Sequence, residues 1–263
     1  MNTHNDNATE NQLPVLDILK ASIKQPFEHA STIVRLAWPY ILMSVLITIL
    51  SATIGEGLYN LLVLPFIIIT SVLAGVACHK VFLCSPEEVS QLSTFRWSSY
   101  DSNFLISGLK LVFALLLGVV LALGLGAIIE NVTKTEIITS GTYSGRTALE
   151  WLAMVVFAYL FSRISMILPG AAVGRYFNFN TSWAATKPYA FRLFLLISFI
   201  PIVAANFINE IFSALIELGV DHILIQIFMS LISLLGAVIE LCILSKSFEW
   251  VTKQGIESDK AAS

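Results

Sequence analysis

Charge is what this sequence has least of. Asp, Glu, Lys and Arg make up 13% of its 263 residues, against about 25% in a soluble globular domain. Hydrophobic side chains make up 56%. A water-soluble fold of this length cannot hide so much apolar surface, so a soluble globular protein is excluded and lipid becomes the natural solvent. Cysteine is scarce too. Cys78, Cys84 and Cys242 are too few for a disulfide framework, and all three fall on the side assigned below to the cytoplasm, where thiols stay reduced. Cys78, His79 and Cys84 lack the second pair that would complete a tetrahedral zinc set.

The motifs of several enzyme classes are missing. The four histidines, His4, His29, His79 and His222, are scattered, with no His-Glu-x-x-His pair. There is no Gly-x-Ser-x-Gly elbow and no Gly-rich phosphate loop ending in Lys-Ser/Thr. Glu87-Glu88 resembles the paired glutamates of intramembrane prenyl-type proteases, but the Arg those need four residues on is Leu92 here. Ser85-Pro86-Glu87-Glu88 reads more simply as a helix start with acids at its positive end. The expectation is therefore no enzyme, with no catalytic, cofactor-binding or metal-binding residues and no nucleic-acid partner.

What the chain does have is length in its apolar runs. Six segments, about 38–55, 58–79, 104–129, 150–170, 191–216 and 223–245, are each long enough for a hydrocarbon core of ~30 Å. Gly55-Glu56-Gly57 and Leu218-Gly219-Val220-Asp221 are short links that imply antiparallel hairpins. If the N-terminus is cytoplasmic, Lys20, Lys24, Arg35, Lys80, Arg96, Lys110, Arg175, Lys187, Arg192, Lys246, Lys253 and Lys260 lie inside. Lys134 and Arg146 lie outside. Twelve against two sets the orientation by the positive-inside rule. The outer side is acidic, with Glu56, Glu130, Glu136, Glu150, Glu210, Glu217 and Asp221 there or at its rim, which reads as a solvated face.

The expected fold is all-α: a polytopic bundle of six spans in three hairpins, with an N-terminal amphipathic interfacial helix. Residues 1–12 read as a disordered cytoplasmic tail, 13–36 as an amphipathic interfacial segment, 37–248 as the transmembrane domain and 249–263 as a cytoplasmic tail. In the second of these, Val15, Leu16, Ile18, Leu19 and Ile23 share one helical face, and Pro26 is expected to end the helix. Trp38, Trp97, Tyr100 and Trp183 are expected interfacial anchors. Asn180-Thr181-Ser182 resembles a helix cap ahead of Trp183.

Two deep charges stand out. If the fourth span leaves the membrane near Gly170, Arg163 lies ~10 Å inside it, and Glu240 lies ~9 Å before Lys246 on the sixth. Matching depths predict an Arg163–Glu240 intramembrane ion pair, because unpaired charge in lipid is costly. On the third span Gly118, Ala122 and Gly126 form a small-residue face suited to close helix packing. Pro65 and Pro201 are expected to kink spans two and five.

The elbow before the first span, His79-Lys80 with Arg96-Trp97, and Arg163 through Leu168-Pro169 to Trp183 resemble a group of uncharacterised bacterial six-span inner-membrane proteins. That group is distantly similar to the membrane domain of glycerophosphodiester phosphodiesterases. The likeness covers most of residues 15–248; no phosphodiesterase domain is present, so that activity does not carry over. It implies a bacterial inner-membrane location. The functional expectation is a non-enzymatic accessory or scaffold component that contacts membrane lipids, another membrane protein or a second copy of itself. The competing expectation is a small transporter or channel with a site near Arg163 and Glu240. A permease coupling loop would place Glu-Ala-Ala before Leu-Pro, whereas here Leu168-Pro169 precedes Ala184-Ala185.

Overall fold

The computed structural model describes residues 13–36, 39–40, 43, 56–92, 96–133, 143–175 and 177–262; the side chains of 56–64, 119, 121–133, 143–151, 222–223, 226–227 and 255–262 are not described. Every regular element among these residues is helical. Residues 30–36 are helical, and the other elements are, in chain order, α1 (Val15–Glu28), α2 (Glu56–Leu83), α3 (Pro86–Ser90), α4 (Ser99–Thr133), α5 (Tyr143–Ile164), α6 (Ile167–Ala172), α7 (Phe179–Thr186), a 3-10 turn (Lys187–Tyr189), α8 (Ala190–Phe194), a π turn (Leu195–Phe199), α9 (Ile200–Glu217) and α10 (His222–Ala262).

Among the described residues, five stretches are long and apolar enough to cross a membrane: Pro65–Leu83, Ser99–Gly118, Leu152–Ala172, Phe179–Glu217 and Phe228–Gln254. They fall on the second to sixth runs read from the sequence, and the chain is a multi-pass helical membrane protein. The run at 38–55, with Trp38, lies outside the described residues apart from 39–40 and 43.

Local chemistry sets the element ends. At α3 a reciprocal capping box forms: Ser85 N donates to Glu88 Oε2 at 3.0 Å and Glu88 N to Ser85 Oγ at 3.4 Å. Asn178, two residues ahead of the expected cap, accepts from Thr181 N at 2.8 Å and starts α7. Pro26 does not end α1, which continues to Glu28. In the last turn a proline forfeits a single bond, to the carbonyl of Ser22. At Pro201 the chain answers the missing N–H with the π turn at Leu195–Phe199 just ahead of it.

The expected tail from residue 249 is instead a continuation of α10, which runs unbroken to Ala262. Glu249 binds Lys246 at 3.0 Å and Lys253 at 2.8 Å, bridging successive turns where the apolar pattern ends. Val251 is buried in the same cluster as Ile18, so a boundary at 248 would cut through packed core.

That core has two adjoining parts. Leu13, Ile18, Met166, Leu193, Leu196, Ile243, Leu244, Phe248 and Val251 form one. Ile33, Leu36, Cys78, Val81, Phe82, Val238 and Cys242 form the other. They meet along α10, where Cys242 and Ile243 are neighbours. α1 packs lengthwise on α10, burying Ile18, Ser22 and Pro26 while Leu16, Ile23 and Phe27 stay exposed. α4 packs on α5, and α9 on α10.

Candidate functional site: a buried polar knot

Helix α5 stops at Ile164, six residues before the expected exit at Gly170. The cause is Pro169. A continuous helix would need its N–H to bond the Ser165 carbonyl, and that carbonyl instead accepts from Leu168 N at 3.0 Å in a turn. Arg163 therefore sits in the last turn of α5, where the negative end of the helix dipole favours a cation.

Helix α7 crosses this end. Ser182 Oγ donates to the Arg163 carbonyl at 2.5 Å, taking up one of the orphan acceptors of the helix end. Arg163 Nε donates to Thr186 Oγ1 at 3.2 Å, and Thr186 Oγ1 donates to the Ser182 carbonyl at 2.7 Å. Arg163 Nη2 donates to the Trp183 carbonyl. The Trp183 ring lies 3.6 Å from the guanidinium carbon, a cation–π stack. Arg163 is left only 4% exposed.

The expected Arg163–Glu240 ion pair is not formed. Arg163 spends its bonds on α7, and Glu240 is on the exposed side of α10. Val238 and Cys242 face the core, and Glu240 lies about 200° around the helix from each. Matching depth along two helices did not bring the charges together, because Glu240 is turned away from the core.

A second tie joins α2 to α10. His79 is fully buried, its Nδ1 2.7 Å from Ser245 Oγ. Ser245 gives its one hydrogen to the Leu241 carbonyl at 2.7 Å. It can only accept from His79, so His79 carries its proton on Nδ1 and presents a bare lone pair at Nε2. That Nε2 is enclosed without a partner. Further ties run from Arg192 Nη1 to the Leu13 carbonyl at 2.8 Å, holding the start of α1, and from Ser198 Oγ to the Ala158 carbonyl at 2.8 Å. Cys242 Sγ lies 3.6 Å from Gln25 Oε1.

Of the expected anchors, Trp97, Tyr100 and Trp183 are exposed and each is engaged. Trp97 Nε1 donates to Ser102 Oγ at 2.8 Å, and the Lys80 ammonium sits 4.0 Å over the Tyr100 ring. Gly118 lies beneath Phe157 of α5: a Cβ there would stand 2.6 Å from that ring. The side chains of Ala122 and Gly126 lie outside the described residues. Among the described residues no three His, Cys, Asp or Glu side chains converge as a metal site. Burial pushes the Cys84 thiol up, with Glu88 adding to the effect.

In the sequence His79 reads only as an incomplete metal ligand and Ser182 only as part of a helix cap, and Thr186, Ser198 and Ser245 carry no signal. A hydroxyl inside an apolar run carries little signal, since it can also satisfy itself on its own helix. Thr70 does so on the Phe66 carbonyl at 2.8 Å, and Thr252 on that of Phe248 at 2.8 Å. Comparison with known protein families, curated proteins and solved structures returns no match to this chain.

Proposed function

We propose that this chain is a non-enzymatic accessory or scaffold protein of the bacterial inner membrane, with six spans in three hairpins and both termini in the cytoplasm. In this reading it works by contact with lipid or with a partner membrane protein. The observation that carries the proposal is how the buried polar groups are used. Arg163, Ser182, Thr186, Ser198 and Ser245 each join one element to another or back to their own helix. A transport site would instead aim such groups at a shared cavity near mid-membrane.

Two further features agree. Asn206 and Asn209 are exposed on α9, and the Asn206 amide donates to its own Ile202 carbonyl at 2.8 Å. A cleft between residues 33–40 and 74–81 is lined mainly by apolar side chains and has only about 10 Å³ of room, scarcely one water. The N-terminal segment acts as an interfacial elbow, docked on α10 by one face and presenting Leu16, Ile23 and Phe27 with Lys20 and Lys24 to the membrane surface.

The test is mild extraction followed by mass spectrometry of whatever co-purifies. A protein or lipid retained at fixed stoichiometry supports the reading. A monodisperse chain with bulk lipid only, or solute flux in proteoliposomes, contradicts it. Reporter fusions at each terminus check the orientation.

A further inference from the structure

Arg163 is a buried cation that meets no carboxylate among the described residues. It bonds Thr186 Oγ1 and the Trp183 carbonyl and stacks on Trp183, all neutral groups. Its own segment is free of acids: between Glu150 and Glu210 the sequence holds Arg163, Arg175, Lys187 and Arg192 and no Asp or Glu. On α10, which packs against α7, Glu249 is shared between Lys246 and Lys253, and Glu240 faces away. The end of α5 offers partial charge only.

The guanidinium also has donors to spare. Of its five N–H groups, Nε and Nη2 each supply one to the bonds above. The pair at the Nη1/Nη2 edge, the geometry that grips two oxygens of one anion, has no partner among the described residues. The fully enclosed side-chain atoms without a partner are Ser22 Oγ, His79 Nε2, Ser165 Oγ and Ser247 Oγ. Arg163 Nη1 is not among them, and the residue as a whole keeps 4% of its surface. Trp183 stacks on the guanidinium face and leaves that edge clear, and is itself 41% exposed, as befits a ring at the membrane–water boundary. Phospholipid phosphates lie at that boundary.

We infer that Arg163, stacked beneath Trp183 at the end of α5, is a binding site for the phosphate of an anionic phospholipid. The site rests on the reading of the chain as a membrane protein in contact with lipid. Lys187, exposed immediately after Thr186, adds long-range attraction to an anionic headgroup.

The full-length chain, purified in non-ionic detergent, is titrated with phosphatidylglycerol, phosphatidylcholine or inorganic phosphate, and bound lipid is counted by native mass spectrometry. A photoreactive phosphatidylglycerol then locates the site on the wild-type chain. Phosphatidylglycerol should be retained roughly five- to tenfold more tightly than phosphatidylcholine, inorganic phosphate should not compete, and the label should fall on the peptide carrying Trp183. Arg163→Lys, which keeps the charge but loses the two-pronged edge, should lose most of the selectivity. If that variant does not fold, the wild-type label decides. Equal retention of the two lipids, competition by free phosphate, or labelling elsewhere overturns the site. Labelling elsewhere with preserved selectivity leaves the accessory reading standing, so the two failures are distinguishable.

Discussion

The two halves of α10 are built on opposite plans. From Val238 to Val251 the helix buries Val238, Cys242, Ile243, Leu244, Ser245, Ser247, Phe248 and Val251. From Leu224 to Ala237 most described side chains are exposed, including Leu224, Phe228, Leu231, Ile232, Leu234 and Leu235. α2 repeats the pattern, exposed at Phe66–Ile69 and buried at Val76, Cys78, His79, Val81 and Phe82. The packed half of α10 is the less apolar of the two: residues 238–251 carry Glu240, Lys246 and Glu249, whereas residues 224–237 carry no charged side chain. The difference is polar: the packed half holds Ser22, His79, Ser162, Arg163, Ser182 and Ser245. In lipid, moving a leucine from acyl chains to a protein neighbour gains little, and close packing with interhelical hydrogen bonds must hold the helices. The hydroxyls and the guanidinium mark where this bundle is held.

Changes that hit one half and spare the other would break this comparison. The largest effect is expected from Phe248→Ala. The ring is fully buried and meets Phe177 edge-on at 5.2 Å between centroids, so its removal should cost about 3–5 kcal/mol. Phe228→Ala, at a ring 51% exposed, should change little. Unfolding of both variants in a common detergent compares them, and equal losses would break the distinction.

Ser245→Ala comes next. It leaves the buried Nδ1–H of His79 without an acceptor and should cost about 1–3 kcal/mol, while Ser233→Ala on the exposed half should be silent in the same assay. Gly174→Ala should cost about 1 kcal/mol or more, because Gly174 has φ +71° and a Cβ there would meet the Tyr100 ring at 2.6 Å. A thermal midpoint unchanged by that substitution would mean the turn after α6 bears no load.

The smallest effect belongs to Lys24→Ala. The Lys24–Glu28 bridge of 2.7 Å is solvent-exposed. The bond holds the Glu28 carboxyl below its usual range and the Lys24 ammonium above its own. Any contribution would thus be lost as pH falls through the Glu28 range or rises through the Lys24 range. Screened pairs of this kind contribute little. Midpoints should match those of the parent chain across neutral pH.

The spans were legible because run length alone identifies them: five apolar runs coincide with helices able to cross a membrane. The end of α5 was written in the sequence at Pro169, whose missing N–H dictates a break one turn earlier. The span itself runs to Ala172, close to the expected end at Gly170; the Glu240 partnership failed on helix rotation, since Glu240 turns away from the core. The reach of α10 past Phe248 was hidden because Lys246, Glu249 and Lys253 look like a solvated tail, although their spacing sustains the helix. The knot was the least legible part. Which hydroxyl ties to a neighbouring helix and which to its own depends on helix rotation, and neighbouring residues in one chain do not encode that.

Arg163 is where the account is most exposed. Double-mutant cycles on the purified chain would pair Arg163→Ala once with Trp183→Ala and once with Glu240→Ala, reading the free energy of unfolding. The stack and the bonds to α7 predict a coupling of about 1 kcal/mol or more between Arg163 and Trp183. For Arg163 with Glu240 they predict simple additivity, within about 0.5 kcal/mol. Coupling to Glu240 with additivity to Trp183 would contradict the polar knot and restore the ion pair in its place.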